Sequence, residues 1–381
     1  MPPDRRAYLS NVTTTPESVG STPERGLSLD APPMDAARRA PVERVAVVIN
    51  GNARRVTEAL VGQLERVVHP GDLFVSRSLE EAEPIARAIV QAGYRTVLTG
   101  GGDGTFVLMV TLIVRASQEL GRHPPRFGML KLGTGNALAW VLGNQAGKGR
   151  PGVVSDLKRI ATEGGRSTLR LLDVEGSLTP FAGLGIDAIC LEHYNETKRT
   201  LSLSPLTRPF ATGPAAYMIS TLGRSLPEFL LRSHPWVRIV NEGSPCVRLG
   251  PDDRPVSEHP QGAILYDGPS RLVAMSTIPY WGFGARIFPF ADERDDRFAL
   301  RVCDVTSVEV AANIGSIWRG KYRNERTVHD FLCENISIHY ETPMALQVGG
   351  DVVGRRTLVR ARLANPIEVV DYYAPPPVGA D

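Results

Sequence analysis

One short stretch constrains this chain more than any other: Thr99–Thr105, read T-G-G-G-D-G-T. Before it runs Tyr94-Arg95-Thr96-Val97-Leu98, apolar and β-branched. After it runs Phe106-Val107-Leu108-Met109-Val110-Thr111-Leu112-Ile113. These flanks read as a strand feeding a helix, with the glycines at the junction. Glycine lets a backbone turn sharply and approach a ligand. Successive amide N–H groups and a helix N-terminus make an anion site. Asp103 would repel bare phosphate. It fits if a divalent cation bridges the two, or if its carboxylate fixes the loop by accepting N–H bonds. A capped βα turn needs fewer glycines than this, so phosphate binding is the expectation.

A second stretch points the same way. Phe127–Leu132 reads as a buried strand running into Gly133-Thr134-Gly135-Asn136 and then the apolar Ala137–Leu142. Two glycine-rich junctions after successive parallel strands lie together at the carboxyl edge of a sheet, where ligands bind. Thr134 and Asn136 add polar groups for phosphate, ribose or base.

G-G-D-G-T followed by G-T-G-N resembles the diacylglycerol kinase catalytic superfamily, which includes bacterial lipid kinases, sphingosine kinases and ceramide kinases. NAD kinases share the first motif, and the second separates the lipid kinase branch. The resemblance implies that Gly101, Gly102, Asp103, Gly104 and Thr105 form the nucleotide-phosphate loop. It implies that Gly133, Thr134, Gly135 and Asn136 form a second nucleotide loop. The family commonly has Asp next; here it is Ala137. Asn50, at the end of the strand Val45–Ile49, matches a family Asn, with Gly51 replacing Pro. It would donate its amide to a nucleotide phosphate or close an Asx turn. Arg54 and Arg55 would face phosphate or solvent.

Three further matches extend to about residue 371. Gly185 and Asp187 match a segment entering the family's second domain. The run Ile287–Phe298 resembles a family loop in which apolar residues and Pro precede acidic residues and Arg-Asp-Gly, with Asp296 in place of the Gly. Asp292 and Asp295 would bind Mg²⁺ or order this loop, and Trp281 and Phe283, if exposed, would anchor the protein at a membrane surface. Gln347-Val348-Gly349-Gly350-Asp351 aligns with an Asp-Gly-Glu whose Glu, in bacterial relatives, is held to activate the acceptor hydroxyl. Here Gly349 replaces the Asp and Asp351 the Glu. The residues alone read as a Gly-Gly hairpin turn.

Composition sets the limits. A chain of 381 residues accommodates two domains, and 42% hydrophobic with 22% charged residues is a globular balance. A net charge of +2 gives no electrostatic case for nucleic acid. Cys190, Cys246, Cys303 and Cys333 form no C-x-x-C set and read as scattered buried thiols. No apolar run is long enough to span a bilayer. Residues 1–41 are rich in Pro, Ser, Thr, Arg and Asp and read as a disordered tail.

The alternation of strands and helices over 42–165 predicts a doubly wound α/β domain with both loops. Residues 166–352 predict a mostly antiparallel β-sandwich, with an apolar helix over Pro214–Leu231 that would line an acyl cleft or a core. Residues 353–381 would pack back on the first domain. The resemblance implies an ATP- and Mg²⁺-dependent lipid kinase, cytoplasmic and peripherally membrane-associated. Asp103 and Asp351 would be its catalytic carboxylates, and Asp103, Asp292 and Asp295 its metal candidates. The substrate would be a diacylglycerol-like or sphingoid-like alcohol, and a homodimer is left open. The alternative is a degenerate member that binds nucleotide or lipid without turnover.

Overall fold

The computed structural model describes residues 44–53, 56–132, 137–142, 165–203, 207, 220 and 234–372, apart from the side chains of Lys131, Ser202 and Phe283. The second glycine-rich loop, Gly133–Asn136, lies outside them, as do Arg54, Arg55 and, save Ser220, the predicted helix at 214–231.

The first part alternates as its sequence predicts: β1 (Val45–Asn50), α1 (Glu58–Leu64), β2 (Leu73–Ser76), α2 (Leu79–Ala92), β3 (Thr96–Gly101), α3 (Asp103–Glu119), β4 (Arg126–Lys131) and α4 (Ala137–Leu142). Helix starts follow local chemistry. Thr57 and Ser78 accept the N–H groups of Leu60 and Glu81, and α2 stops at Gly93 in the left-handed conformation. β2, β1, β3 and β4 pair in parallel in that order. Their near-continuous apolar runs are buried, as parallel strands covered on their faces must be. Phe106 of α3 packs edge-to-face on Phe127 of β4, with ring centroids 6.4 Å apart.

The second sheet has twelve strands. β6 (Leu172–Val174), β7 (Ser177–Thr179) and β8 (Phe181–Gly185) precede α5 (Ile186–Ser202). Then come β9 (Trp236–Asn241), β10 (Cys246–Leu249), β11 (Pro255–His259), β12 (Ile264–Pro269), β13 (Leu272–Ser276) and β14 (Phe298–Cys303). They are followed by α6 (Ser307–Trp318), β15 (Val328–Cys333), β16 (Asn335–Val348) and β17 (Asp351–Leu363). All pairings in this sheet are antiparallel. β16 is one strand of 14 residues where its composition predicts two pieces. An irregularity between His339 and Met344 absorbs the interruption. Cys246 and Cys333, far apart in sequence, face each other across β10 and β15, with sulfur atoms 2.9 Å apart as free thiols. Arg301 and Asp330 form a buried, two-pronged ion pair between β14 and β15, at 2.7 and 2.8 Å.

The chain crosses between the sheets at both ends of the second one. β5 (Gly165–Leu169) and the final β18 (Ile367–Asp371) belong to the first sheet, β18 lying between β4 and β5. Tyr372 locks this return, its hydroxyl donating to the Met129 carbonyl at 2.8 Å. Helix α3 is shared. Phe106, Met109, Val110 and Ile113 enter the first core, whereas Val107 enters the second. Thr111 accepts the N–H of Leu178 beside β7 at 2.9 Å. The N-terminus of α3 is therefore held between the two sheets.

Candidate active site

The corner is built on the turn from β3 into α3. Gly102 caps α3 with extended backbone and, as a glycine, offers no side chain to the leading N–H groups of the helix. Gly101 ends β3 where a Cβ would lie 2.3 Å from the Thr105 hydroxyl, so only glycine lets Thr105 fold onto the strand end. That hydroxyl accepts the Asn50 amide at 3.0 Å. The other face of Asn50 closes an Asx turn, its Oδ1 accepting the N–H of Asn52 at 2.9 Å. Asn50 thus holds the neighbouring strand end and the loop together.

Asp103 is buried and spans two elements. Its Oδ2 accepts the N–H of Ala137 at 2.7 Å and its Oδ1 that of Leu138 at 3.1 Å. It serves α4 as an N-cap supplied from another helix. Burial pushes its acidity to about 6, the two N–H bonds hold it down, and the nearby charge of Asp351 adds to the rise. The end of the second glycine-rich loop is thereby tied to the first.

Asp351 arrives from the other sheet. Gly349 and Gly350, at φ 59° and 90°, make the two-residue turn between β16 and β17. Both central residues at positive φ define the type I′ hairpin, which glycine suits. The turn rests on α3: a Cβ on Gly349 would lie 2.5 Å from Cγ2 of Val107. The Asp351 carboxylate beyond it reaches the first turn of α3, where a Cβ on Gly104 would lie 2.0 Å from its Oδ2. Asp351 is exposed as a residue, yet burial of its carboxylate end raises its pKa, opposed by the charge of Lys198 on α5.

Beneath the turn lies a polar contact that the sequence did not signal. Gln347 of β16 accepts the N–H of Gly350 at 2.9 Å and donates to Oδ2 of Asp187 at 3.1 Å. Asp187 begins α5 beside Gly183, its Oδ1 is buried without a partner, and burial raises its pKa to about 6. No periodicity marks Gln347, because its role exists only once β16, β8 and α5 are adjacent. Through Gln347, the Asp187 carboxylate anchors the turn that carries Asp351.

Asp292 and Asp295 face arginines. Asp292 lies 3.8 Å from Arg286 and Asp295 3.5 Å from Arg170. The Arg170 guanidinium also donates to the carbonyls of Arg294 and Arg297, pinning the acidic loop to the chain just after β5. Among the described residues no group of three or more His, Cys, Asp or Glu side chains gathers as a protein cage for a metal. Trp281 is not the exposed anchor that its sequence suggests. It packs against Phe181 and Phe288, with centroids 6.5 and 5.7 Å away, because the loop folds over the end of β8. Trp140 of α4 is the exposed indole here, stacked on Tyr280.

Two sheets, with a parallel α/β part whose glycine-rich strand end meets a carboxylate from an antiparallel part, define the architecture. Residues 44–166 match the diacylglycerol kinase catalytic domain. Two solved structures from Bacillus anthracis str. Sterne, described as diacylglycerol kinases, share the fold. The first superposes with a TM-score of 0.60 at 16% identity, covering 87% of this chain and 99% of the other. The second gives 0.55 at 15% identity, covering 88% and 99%. No curated protein matches the chain.

Proposed function

We propose that this protein is an ATP-dependent lipid kinase that transfers the γ-phosphoryl group to a lipid hydroxyl, diacylglycerol-like or sphingoid-like. The single observation that carries the reading is the approach of the Asp351 carboxylate to Gly104 in the first turn of α3. It puts a candidate base from one sheet beside a candidate phosphate loop from the other. In this reading the first sheet, including β5 and the returning β18, acts as a doubly wound ATP-binding unit, and the second sheet, β6 to β17, as the lipid-binding unit. The leading N–H groups of α3, Thr105 and Asn50 bind phosphate, with Gly133, Thr134, Gly135 and Asn136 completing the nucleotide site.

Asp351 takes the proton of the acceptor hydroxyl as that oxygen attacks the γ-phosphorus in line and the bond to the β-phosphate oxygen breaks. Gln347 and Asp187 hold its turn, and Lys198 favours its charged form. Mg²⁺ would be held by Asp103 together with phosphate oxygens, as Mg²⁺ binds through one or two carboxylates plus substrate, which leaves Asp351 free to take the proton. When bound it supplies neutralisation of the phosphate charge. Asp292 and Asp295 fit this role less well, since arginines take them.

A second reading, a degenerate member that binds nucleotide or lipid without turnover, draws on Gly349 and the shortened Asp351. Against it, Gly349 fits against Val107 where a longer side chain would clash, which is an adjusted corner rather than an eroded one. The test is direct. Pure protein is incubated with labelled ATP, NAD and a lipid extract in detergent, and label in the organic phase is the expected result. Label in NADP, or none in any acceptor with ATP bound, overturns it.

A further inference from the structure

Helix α6 is out of place for a soluble surface. Its sequence, S-V-E-V-A-A-N-I-G-S-I-W, is mostly apolar, yet none of its side chains is buried. Val308 is 73% exposed, Ile314 54% and Trp318 45%. With exposed Ala311, Ala312 and Gly315 they form a continuous outward stripe at helical spacing. The only acid of the helix, Glu309, is engaged by Tyr322, Asn324 and Thr327. Past the last turn stand exposed Arg319, Lys321 and Arg326, and the Arg319 guanidinium folds back toward Gly315 on the apolar stripe.

The end of this helix is tied to the active corner. The Trp318 carbonyl accepts the N–H of Arg286 at 2.9 Å, and Gly320 presses on the Arg286 carbonyl. Arg286 belongs to the loop whose Gly284 lies against Trp140 and whose Tyr280 stacks on it. Trp140 sits one turn beyond Ala137, whose N–H holds Asp103. Two exposed indoles therefore flank one loop that leads to the corner.

From this geometry we infer that α6 is an interfacial helix that docks the protein on an anionic lipid bilayer, with the Val308–Ile314–Trp318 stripe in the acyl boundary and Arg319, Lys321 and Arg326 at the headgroups. The occupant follows from charge and shape. An apolar stripe ending in tryptophan and three exposed cations against one exposed acid, Glu325, with the helix's own Glu309 engaged, matches an anionic interface. Among the described residues no helix is long and apolar enough to cross a bilayer. The inference rests on the lipid kinase reading for its biological sense, but its test is separable.

The full chain is mixed with vesicles of phosphatidylglycerol and phosphatidylcholine, or of phosphatidylcholine alone, and bound protein is read by flotation. The expected result is binding to the anionic vesicles that weakens about fivefold for each of Arg319→Gln and Lys321→Gln. It is lost in Ile314→Asp/Trp318→Ala. The same variants keep the wild-type rate on a short-chain diacylglycerol dissolved as monomer and keep the wild-type elution volume. Binding unchanged in these variants, or a dimer that the variants dissociate, overturns the inference. If no lipid is phosphorylated but vesicle binding falls as stated, the docking surface stands and the kinase reading fails. If lipid is phosphorylated and vesicle binding ignores α6, the kinase reading stands and the docking surface fails.

Discussion

The Asp351 carboxylate lies against the Cα of Gly104: a methyl group placed on Gly104 would meet Oδ2 at 2.0 Å and Cγ at 2.9 Å. These residues are 247 positions apart and belong to different sheets. Gly104→Ala must displace one or the other. A shift of about 1 Å near the chemistry can cost about 100-fold in rate. Gly104→Ala should therefore lose about that much turnover while circular dichroism and melting stay near wild type. A full-rate Gly104→Ala enzyme would remove Asp351 from the reaction.

Asp351→Asn tests the base itself. General-base catalysis contributes about 10²–10⁴-fold. The Asn variant should fall by about 100-fold or more in kcat, with nucleotide affinity nearly unchanged by calorimetry. In the wild type, burial raises the Asp351 pKa, and a base works only when deprotonated. The rate should therefore fall on the acid side, with its midpoint shifted upward from that of an ordinary aspartate. That acid limb should vanish in the Asn variant.

Asp103→Ala removes the acceptor for two helix N–H groups at once. Unpaired buried donors cost about 1–3 kcal/mol each. Melting should drop, and Mg-ATP binding should be lost below the denaturation temperature, because the second loop is no longer tied to the first. Calorimetry showing wild-type affinity would separate Asp103 from the nucleotide site.

Restoring the family residues is expected to fail for a steric reason. In Gly349→Asp/Asp351→Glu the new Cβ at 349 would sit 2.5 Å from Val107 Cγ2. Overpacking of this kind costs about 1–3 kcal/mol. The double variant should melt lower and gain no activity, and Val107→Ala added to it should recover the melting temperature. A double variant as stable as wild type would show that Gly349 is not fitted to α3.

Asp187 makes a prediction about pH and stability. Its pKa rises from 3.8 unfolded to about 6 folded because burial penalises the charged form. Between those values the folded state holds more protons than the unfolded one. Stability from this group is thus full below about pH 4 and is lost as pH rises through about 6. The change is on the order of 3 kcal/mol for a fully buried group. Asp187→Asn should flatten the decline in melting temperature between pH 4 and 7. An unchanged slope would mean that the carboxyl is not protonated in the folded protein.

Much of this was legible in advance, and the reason is locality. The strand–glycine–helix turn at Thr99–Thr105 involves residues adjacent in sequence, so glycine content and apolar runs report it directly. The Gly349–Gly350 turn was readable for the same cause. Gln347 was not: its partners are Gly350, three residues on, and Asp187, 160 residues away, and only the second gives it a role. Trp281 misled because aromatic residues in a glycine-rich loop read alike whether they fold in or out. Burial depends on what lies opposite, here Phe181 and Phe288.

By itself the amino-acid sequence determined the repeating β–α units, the glycine-rich strand–helix turn at Gly101–Thr105 and the turn that carries Asp351, since φ preference, apolar period and capping act over a few residues. Only the tertiary structure decided that Asp351 meets Gly104, that Asp103 caps α4, that β18 returns to the first sheet and that α6 keeps its apolar face outside. These are settled by which surfaces exclude water against one another, a property of the whole packed chain that no short window of residues contains.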